Sequence, residues 1–449
     1  MRAAIMLFIP FWFAAGQSTR ESPAVAQGTL ELSLKHAVEI AVTPEGSAKV
    51  ALAQQFVRQA EDRITEARAA FLPGIDGQIQ EYNETVNLKA FGINFAVPVP
   101  GFSIPSIAGP FTVFDARATV QQSVFSYSDI RKYQASRMSL LATRSDMNTT
   151  KDQVSDQVSR AYLASLRADA DLETARANVD LSMALERLAQ SQKNAGTGTG
   201  IEVTRAQVQL ANDRQRLIVS ENDRRRAVLQ LMRTMGVSLE ANVEFTDKLA
   251  YREVNVADLE ASLNTARQDR SDLKAQEQRE ETARLNYGSV AAERLPSVQA
   301  FGNYGTIGLQ IDNARPTREY GVALKVPLFD GMRRDARRNE SYSQYLQERT
   351  RTHDLQQQIE LDVRLALDSL RSAEAQVATA RDGLALAQNE LAQAQRRYQA
   401  GVANSLEVTD AQTRLIRAQD NQTAAIYAHN LARIDLATAT GTVSEYVNQ

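Results

Sequence analysis

The chain offers few side chains that could catalyse a reaction or bind a metal. None of its 449 residues is a cysteine, which excludes disulfides, thiolate metal sites and thiol catalysis. Its three histidines, His36, His353 and His429, lie far apart and lack the spacing of metal ligands. No nucleophile, base and orienting group converge in the sequence. We therefore expect no enzymatic activity, no metal site and no cofactor.

Two carboxylates stand out by their spacing. Glu407 and Asp410 are three residues apart, which places both on one face of a helix. They follow the turn-like segment Gly401 to Ser405 (GVANS), so they fall in the first turn of the next helix. Acids there stabilise a helix by about 0.3–1 kcal/mol each. From spacing alone, helix stabilisation and an electrostatic function both remain open.

The segment Gly196 to Gly200 (GTGTG) is the other candidate binding motif. Glycine-rich loops can cradle phosphates, but a phosphate loop follows a strand and precedes Lys-Ser or Lys-Thr. Both features are missing here, so a hairpin turn is the favoured interpretation. The 51 basic and 54 acidic residues give a net charge of −3. This balance provides no reason to expect nucleic acid binding.

The N-terminus has the features of an export signal. The apolar run Ala3 to Ala15 follows Arg2 and is too short for a stable anchor. Small residues at Ala24 and Ala26 predict cleavage after Ala26, so that residues 1–26 form a signal peptide. An uncleaved N-terminal anchor is the alternative. Beyond residue 27 no stretch approaches 18 apolar residues, so no membrane-spanning helix is expected.

Glycine and proline divide the rest of the chain into long helical blocks. Asp129 to Ala195 contains neither residue, and Met332 to Ala400 contains only Gly383. Each block could form one helix about 100 Å long, which requires a coiled coil or a helical array for stability. We also predict helices over Ser33–Phe71, Ile201–Met235, Ala257–Arg294 and Val402–Thr440. Stacked end to end, these shorter helices would line the long ones and build a tube.

Apolar residues in the second half of the chain follow the steps of a coiled coil. One seam comprises Leu370, Ala373, Val377, Ala380, Leu384, Ala387, Leu391, Ala394 and Tyr398. A second seam comprises Val408, Ala411, Leu415, Ala418, Gln422, Ala425, His429, Ala432 and Leu436. The turn between the seams predicts an antiparallel helical hairpin.

The same hairpin occurs twice. AGTGTGIEVTRAQ (Ala195–Gln207) matches AGVANSLEVTDAQ (Ala400–Gln412) 205 residues later. RAAFLPGIDGQIQ (Arg68–Gln80) parallels AAERLPSVQAFGN (Ala291–Asn303), with Leu-Pro at the change from helix to strand. We therefore predict a tandem duplication, with a first repeat at 27–235, a connector at 236–256 and a second repeat at 257–449. Each repeat has a helix, two strands and a long helical hairpin.

Each repeat contains segments in which apolar and polar or small residues alternate. The clearest apolar set is Tyr320, Val322, Leu324, Val326 and Leu328. This alternation fits a barrel wall between lipid and water, and it also fits a soluble β-sandwich. The export signal and the long helices favour the barrel. Four strands cannot close a barrel, and an open edge is not tolerated in lipid, so several chains must share one.

Together these features resemble the TolC-type outer-membrane factors of bacterial efflux and secretion systems. The resemblance covers Leu30 to Gly441 and includes VPLFDG (Val326–Gly331) and YQAGVANSLEVTDAQ (Tyr398–Gln412). It implies an α+β membrane protein that forms a homotrimer. Four strands per chain would complete one β-barrel in outer-membrane lipid, and the antiparallel coiled-coil helices would form a periplasmic α-barrel closed at its tip.

The resemblance also implies a function and partners. Such a protein is the exit duct of a tripartite efflux or type I secretion system and conducts substrates passively. It docks a periplasmic adaptor and, through the adaptor, an inner-membrane transporter. The docking turns would be the two glycine segments, comprising Gly196, Gly198, Gly200, Gly401 and Ser405.

The family's gate residues can be placed on this sequence. Glu407 and Asp410 match the acids that form a ring at the channel constriction. Tyr398 matches the gate tyrosine, and Glu202 stands at the position of a gate aspartate. Ala403 occupies the position of the gate arginine, which puts an arginine-based closing salt bridge at that position in doubt.

Two other functions remain for comparison, and one segment has no assigned role. A periplasmic adaptor would have one hairpin flanked by compact β domains, and a coiled-coil filament would lack amphipathic strands. The apolar, proline-rich segment 90–111 is expected to be an extracellular loop. It could form a constriction, contact lipid or pack across the trimer.

Overall fold

The computed structural model describes residues 30–92, 106–254 and 258–447. The predicted signal peptide at 1–26 lies outside the described residues, as does most of the apolar segment 90–111. The helices are α1 (Leu34–Ala41), α2 (Ala48–Ala69), α3 (Tyr127–Asn194), α4 (Gly200–Met235), α5 (Leu259–Asp269), α6 (Ser271–Ala292), α7 (Arg333–Gln399), α8 (Ser405–Thr440) and α9 (Val443–Val447). The strands are β1 (Leu30–Leu32), β2 (Gly74–Asn87), β3 (Ile107–Phe125), β4 (Val243–Phe245), β5 (Ser297–Gly308) and β6 (Arg315–Lys325).

The two longest helices, α3 with 68 residues and α7 with 67, form where glycine and proline are absent. Each is about 100 Å long. The first part of α3 packs against α6, where Ser128 and Ser289 lie 3.2 Å apart. Its second part packs against α4, where Arg224 contacts Asp169 at 2.5 Å. Two shorter helices therefore line one long helix, as the sequence predicts.

Two of the predicted helices are broken, which corrects the sequence analysis. The helix expected over Ser33–Phe71 is interrupted between α1 and α2, where Pro44 and Gly46 disfavour helix. The helix expected over Ala257–Arg294 is interrupted at Arg270, whose backbone is extended at φ −60° and ψ 116°. Arg270 has no helix-breaking side chain. Its guanidinium contacts the carboxylate of Asp272, two residues further on, at 2.7 Å and that of Asp362 on α7 at 3.1 Å, so the extended residue is held by one local and one tertiary contact.

Each break accommodates the end of a hairpin helix. Gly236 ends α4 with φ +68° and lies directly against the carbonyl of Gly46. Gly441 ends α8 with φ +78°, and a Cβ there would lie 2.8 Å from the backbone nitrogen of Arg270. The positive φ and the close approach both require glycine. The two halves of the chain thus make the same junction.

Four long strands form one antiparallel sheet in the order β2-β3-β5-β6. One face exposes apolar side chains, namely Ile75, Ile79, Tyr320, Val322 and Leu324. The opposite face carries Gln80, Asp115, Arg117 and Glu319, in register across the strands. Strand β6 ends at Lys325, so Val326 and Leu328 follow the strand instead of continuing it as the alternation suggested. Among the described helices, none is apolar enough over a sufficient length to cross a bilayer.

A second, two-stranded sheet lies beside the middle of α3. Strand β1 pairs in parallel with β4, which falls in the predicted connector. The buried Tyr162 of α3 packs against this sheet, with its hydroxyl 2.7 Å from the Asp247 carboxylate and 3.0 Å from the Leu32 carbonyl oxygen. The connector therefore forms part of a core instead of a free linker.

Candidate functional site

The first glycine segment is a tight turn between α3 and α4. Gly196 has φ +76°, a conformation that glycine adopts without strain. The N–H groups of Thr197 and Gly198 both donate to the Gln192 carbonyl at 3.0 Å, which satisfies the end of α3. Gly200 is the first residue of α4. The Glu202 carboxylate accepts a hydrogen bond from the Thr199 N–H at 2.8 Å and so caps the start of α4.

The second glycine segment makes the equivalent turn between α7 and α8. Gly401 has φ +71°, and its N–H donates to the Tyr398 carbonyl at 3.1 Å. Asn404 caps α8 by accepting from the N–H groups of Leu406 at 3.2 Å and Glu407 at 3.3 Å. Ser405, the first residue of α8, is buried. The duplicated sequence thus folds into duplicated turns.

The two turns lie side by side at one end of the molecule. The side-chain amide of Gln192, near the end of α3, reaches the Tyr398 carbonyl at 3.5 Å. Below the turns, Leu391, Tyr398 and Val408 of the second hairpin form an apolar cluster, against which Leu185 and Leu188 of α3 pack. The first hairpin therefore supports the second, and the five predicted docking residues occupy a common tip.

The predicted gate residues Tyr398 and Glu202 line the same small cavity. Tyr398 is only 6% exposed, and its hydroxyl has no hydrogen-bond partner in the described part of the chain. Glu202 bonds to its own helix start instead. Burial raises the pKa of Tyr398, and the negative charge of Glu202 raises it further. The structure brings the two residues together without a direct bond between them.

Both predicted ring acids are paired with arginines. The Glu407 carboxylate lies 2.9 Å from the guanidinium of Arg397, and the Asp410 carboxylate lies 2.7 Å from that of Arg414. Arg414 also contacts Glu390 at 2.7 Å. Three acids and two arginines leave this charge cluster at −1 per protomer. Sequence reasoning missed both arginines, although the four-residue spacing of Asp410 and Arg414 on one helix indicated their pair.

Exposed apolar side chains surround the two turns. Ile201 and Leu406 stand at equivalent positions of the duplication and are 59% and 56% exposed, and Val402 is 66% exposed. Ala403, at the position of the family's gate arginine, is partly buried. The tip therefore combines an apolar surface with paired charges. The described residues contain no group of three potential metal ligands.

Comparison with known sequences connects this architecture to a protein family. A sequence profile described as "Outer membrane efflux protein" matches residues 45–237 and 262–442, most of the chain. The chain belongs to the outer membrane efflux protein family. The resemblance stated from the sequence is thereby confirmed, as are the outer-membrane location and the role as an efflux channel.

Individual relatives agree with this assignment. The chain is 25% identical over 414 residues to the pyoverdine export outer membrane protein OpmQ of Pseudomonas putida, covering 91% of this chain and 84% of that protein. It is 25% identical to the outer membrane protein TolC of Vibrio cholerae over 297 residues, or 64% and 68% of the two chains. The solved structure of the outer-membrane channel OprN superposes with a TM-score of 0.75 at 16% identity, covering 91% and 90%.

The family also confirms the predicted fold class. The protein is an α+β membrane channel, in which each chain gives four strands to a shared trimeric β-barrel and long coiled-coil helices to an α-barrel. The profile matches two segments, one in each predicted repeat. The repeat boundaries and the assignments of individual site residues stay predictions.

Proposed function

We propose that this outer-membrane channel is the exit duct of a multi-component pump and that its two glycine turns dock a periplasmic adaptor. The adaptor in turn connects the duct to an inner-membrane transporter. Conduction through the duct is passive and requires no cofactor and no catalytic residue. Driving force and most substrate selection reside in the transporter.

The observation that supports docking is the apolar surface of the tip. Ile201, Val402 and Leu406 are each more than half exposed in the protomer, so their apolar surface is available to a partner. An amphipathic helical hairpin of an adaptor would cover such residues by helix-in-groove packing. Because Ile201 and Leu406 are equivalent in the duplication, each protomer presents two related docking positions.

We further propose that Glu407 and Asp410 line the narrowest part of the duct. Three protomers bring six such carboxylates together, each with an arginine partner nearby. With Glu390 included, the cluster carries −1 per protomer and −3 per trimer, which favours cations over anions. The buried Tyr398 and Glu202 line one small cavity together with Ser405, the first residue of α8, and Glu202 caps the start of α4.

Photo-crosslinking in the native host tests the docking proposal. A photoreactive phenylalanine replaces Val402 at the tip or, as a control, Leu365, which is 56% exposed in the middle of α7. We expect the Val402 variant, and not the Leu365 variant, to crosslink to a periplasmic protein with a coiled-coil hairpin. Crosslinking of the adaptor through Leu365 alone would remove the turns from the docking surface.

A further inference from the structure

A fully buried polar cluster connects the two helical hairpins below the tip. Its members are Ser182 on α3, Asp213 on α4 and Gln412 on α8, each only 1% exposed. The Ser182 hydroxyl donates to the Asp213 carboxylate at 2.5 Å, and the Gln412 side-chain amide donates to the Ser182 oxygen at 2.6 Å. The cluster thus joins the first hairpin to the second through a continuous chain of hydrogen bonds.

The duplication provides an internal comparison for these residues. At the positions 205 residues after Ser182 and Asp213, the second hairpin has Ala387 and Ala418, which belong to an apolar cluster. Gln207, the counterpart of Gln412, is exposed and bonds to Glu186 of its own hairpin at 3.3 Å. The two helices of such a hairpin therefore pack against each other with alanines at both positions. Packing within the first hairpin does not by itself explain why Ser182 and Asp213 are polar.

The Asp213 carboxylate depends on donors from both hairpins. Within the described chain its side-chain hydrogen bonds come from Ser182, Gln209 and Gln412, all uncharged groups. A buried carboxylate without a cationic partner is costly unless its oxygens remain hydrogen-bonded. Moving α8 away from the first hairpin removes Gln412 from both Ser182 and Asp213. Separation of the hairpins therefore carries a specific electrostatic penalty.

We propose that Ser182, Asp213 and Gln412 form a latch that holds the second hairpin against the first and controls how readily the tip opens. Ser182 and Gln412 line the same small cavity as Tyr398 and Ser405, so the latch lies next to the predicted gate residue Tyr398. All three are positioning residues, since their hydrogen bonds lie within the protein. This proposal rests on the proposed function in one respect, because it takes the tip to be the gate of the duct.

The test gives Ser182 and Asp213 the alanines found at the equivalent positions of the second hairpin and replaces the amide of Gln412 with an apolar side chain. The triple variant is Ser182→Ala, Asp213→Ala and Gln412→Leu, and the single variant Gln412→Leu leaves Asp213 bonded within its own hairpin. The matched control is Glu186→Ala with Gln207→Ala, which removes an exposed bond inside one hairpin. Because the chain has no cysteine, spin labels at Thr197→Cys and Val402→Cys report the separation of the two turns. Co-expression with excess cysteine-free chain isolates the distance within one protomer.

We expect both latch variants to give a longer and broader distance between the labels, while the control keeps the narrow natural distribution. Open probability in bilayers should rise about tenfold in the triple variant, equivalent to ~1.4 kcal/mol. Thermal unfolding of the same trimers should stay close to that of the natural protein. An unchanged distance distribution in the triple variant would overturn the latch. Absence of conductance in the natural protein would instead contradict the proposed function as a duct. The distances between the labels would still show whether the three residues hold the hairpins together.

Discussion

The guanidinium of Arg397 lies 2.9 Å from the carboxylate of Glu407, so an ion pair spans the turn between α7 and α8. Both side chains are largely exposed, at 58% and 42%, and such pairs contribute only about 0.2–1 kcal/mol to stability. Their importance is electrostatic. They determine how much of the negative charge at the proposed constriction is neutralised.

The first prediction concerns ion selectivity. Replacing Glu407 and Asp410 by alanine leaves Arg397 and Arg414 against Glu390 alone, which changes the cluster from −1 to +1 per protomer. We expect the preference to reverse from cations to anions, and block by trivalent cations from the periplasmic side to weaken. Reversal potentials of single channels in a salt gradient measure the selectivity, and the loss of current when a trivalent cation is added to the periplasmic side measures the block.

The control for that experiment shifts the charge in the opposite direction. Arg397→Gln removes one positive charge and leaves −2 per protomer, so cation preference should increase. Trimer stability should be nearly the same in both variants, because the pairs are exposed. If selectivity does not change in either variant, these acids only stabilise the start of α8 and the constriction lies elsewhere.

The second prediction uses two glycines of the tip that differ in backbone conformation. Gly401→Pro should disrupt the second turn and abolish export while membrane insertion continues, because proline cannot adopt φ +71° and lacks the N–H that bonds Tyr398. Gly200→Pro is the matched control, since the first position of a helix tolerates proline. Export assays on outer-membrane fractions with equal channel content compare the two. Normal export by the Gly401 variant would exclude the second turn from docking.

Local signals explain which parts of the structure the sequence predicts well. The long helices follow from the absence of glycine and proline, and the turns at Gly196 and Gly401 follow from glycine's access to positive φ. The break at Arg270 was missed because neither Arg270 nor Asp272 is a helix-breaking residue and the other contact, with Asp362, joins residues 92 positions apart. The interruption near Pro44 was missed even though proline and glycine both indicate it.

Contacts between distant segments explain the features of the structure that the sequence did not predict. Strands β1 and β4 have three residues each and pair across more than 200 positions, so neither has a detectable alternation of its own. The pair of Arg397 and Glu407 depends on the conformation of the turn between them. The burial of Asp213 depends on the packing of α3, α4 and α8 against one another. The apolar pattern along a single helix does not predict such packing.

The third prediction concerns the core beside α3. Tyr162→Phe removes the hydroxyl that contacts the Asp247 carboxylate and the Leu32 carbonyl, and burial together with Asp247 already raises the pKa of Tyr162. We expect a loss of about 1–3 kcal/mol in unfolding free energy, because Asp247 loses a buried donor. Tyr287→Phe, which loses only two exposed contacts of 3.3 and 3.4 Å with Arg338, should change stability little. Equal effects of both variants on denaturant midpoints would contradict this.

The fourth prediction concerns acid stability. His429 is fully buried, both ring nitrogens lack partners in the described chain, and burial followed by the charge of Arg433 lowers its pKa. The unfolded chain binds this proton near pH 6.5, whereas the folded chain binds it only at lower pH. Stability should therefore fall as pH drops below about 6.5. His429→Leu should remove this loss, and His36→Gln, at an exposed residue, should retain it. Thermal scans from pH 5 to 8 distinguish them.

The most direct test of the account is conductance by the purified, detergent-extracted protein in planar bilayers. An open four-stranded sheet leaves unpaired edges in lipid, so the stable species should be a trimer with a closed barrel. We predict discrete single-channel currents that prefer cations, carried by a particle of three chains. A monodisperse monomer that inserts without any channel current would contradict the central claim that this protein is an outer-membrane duct.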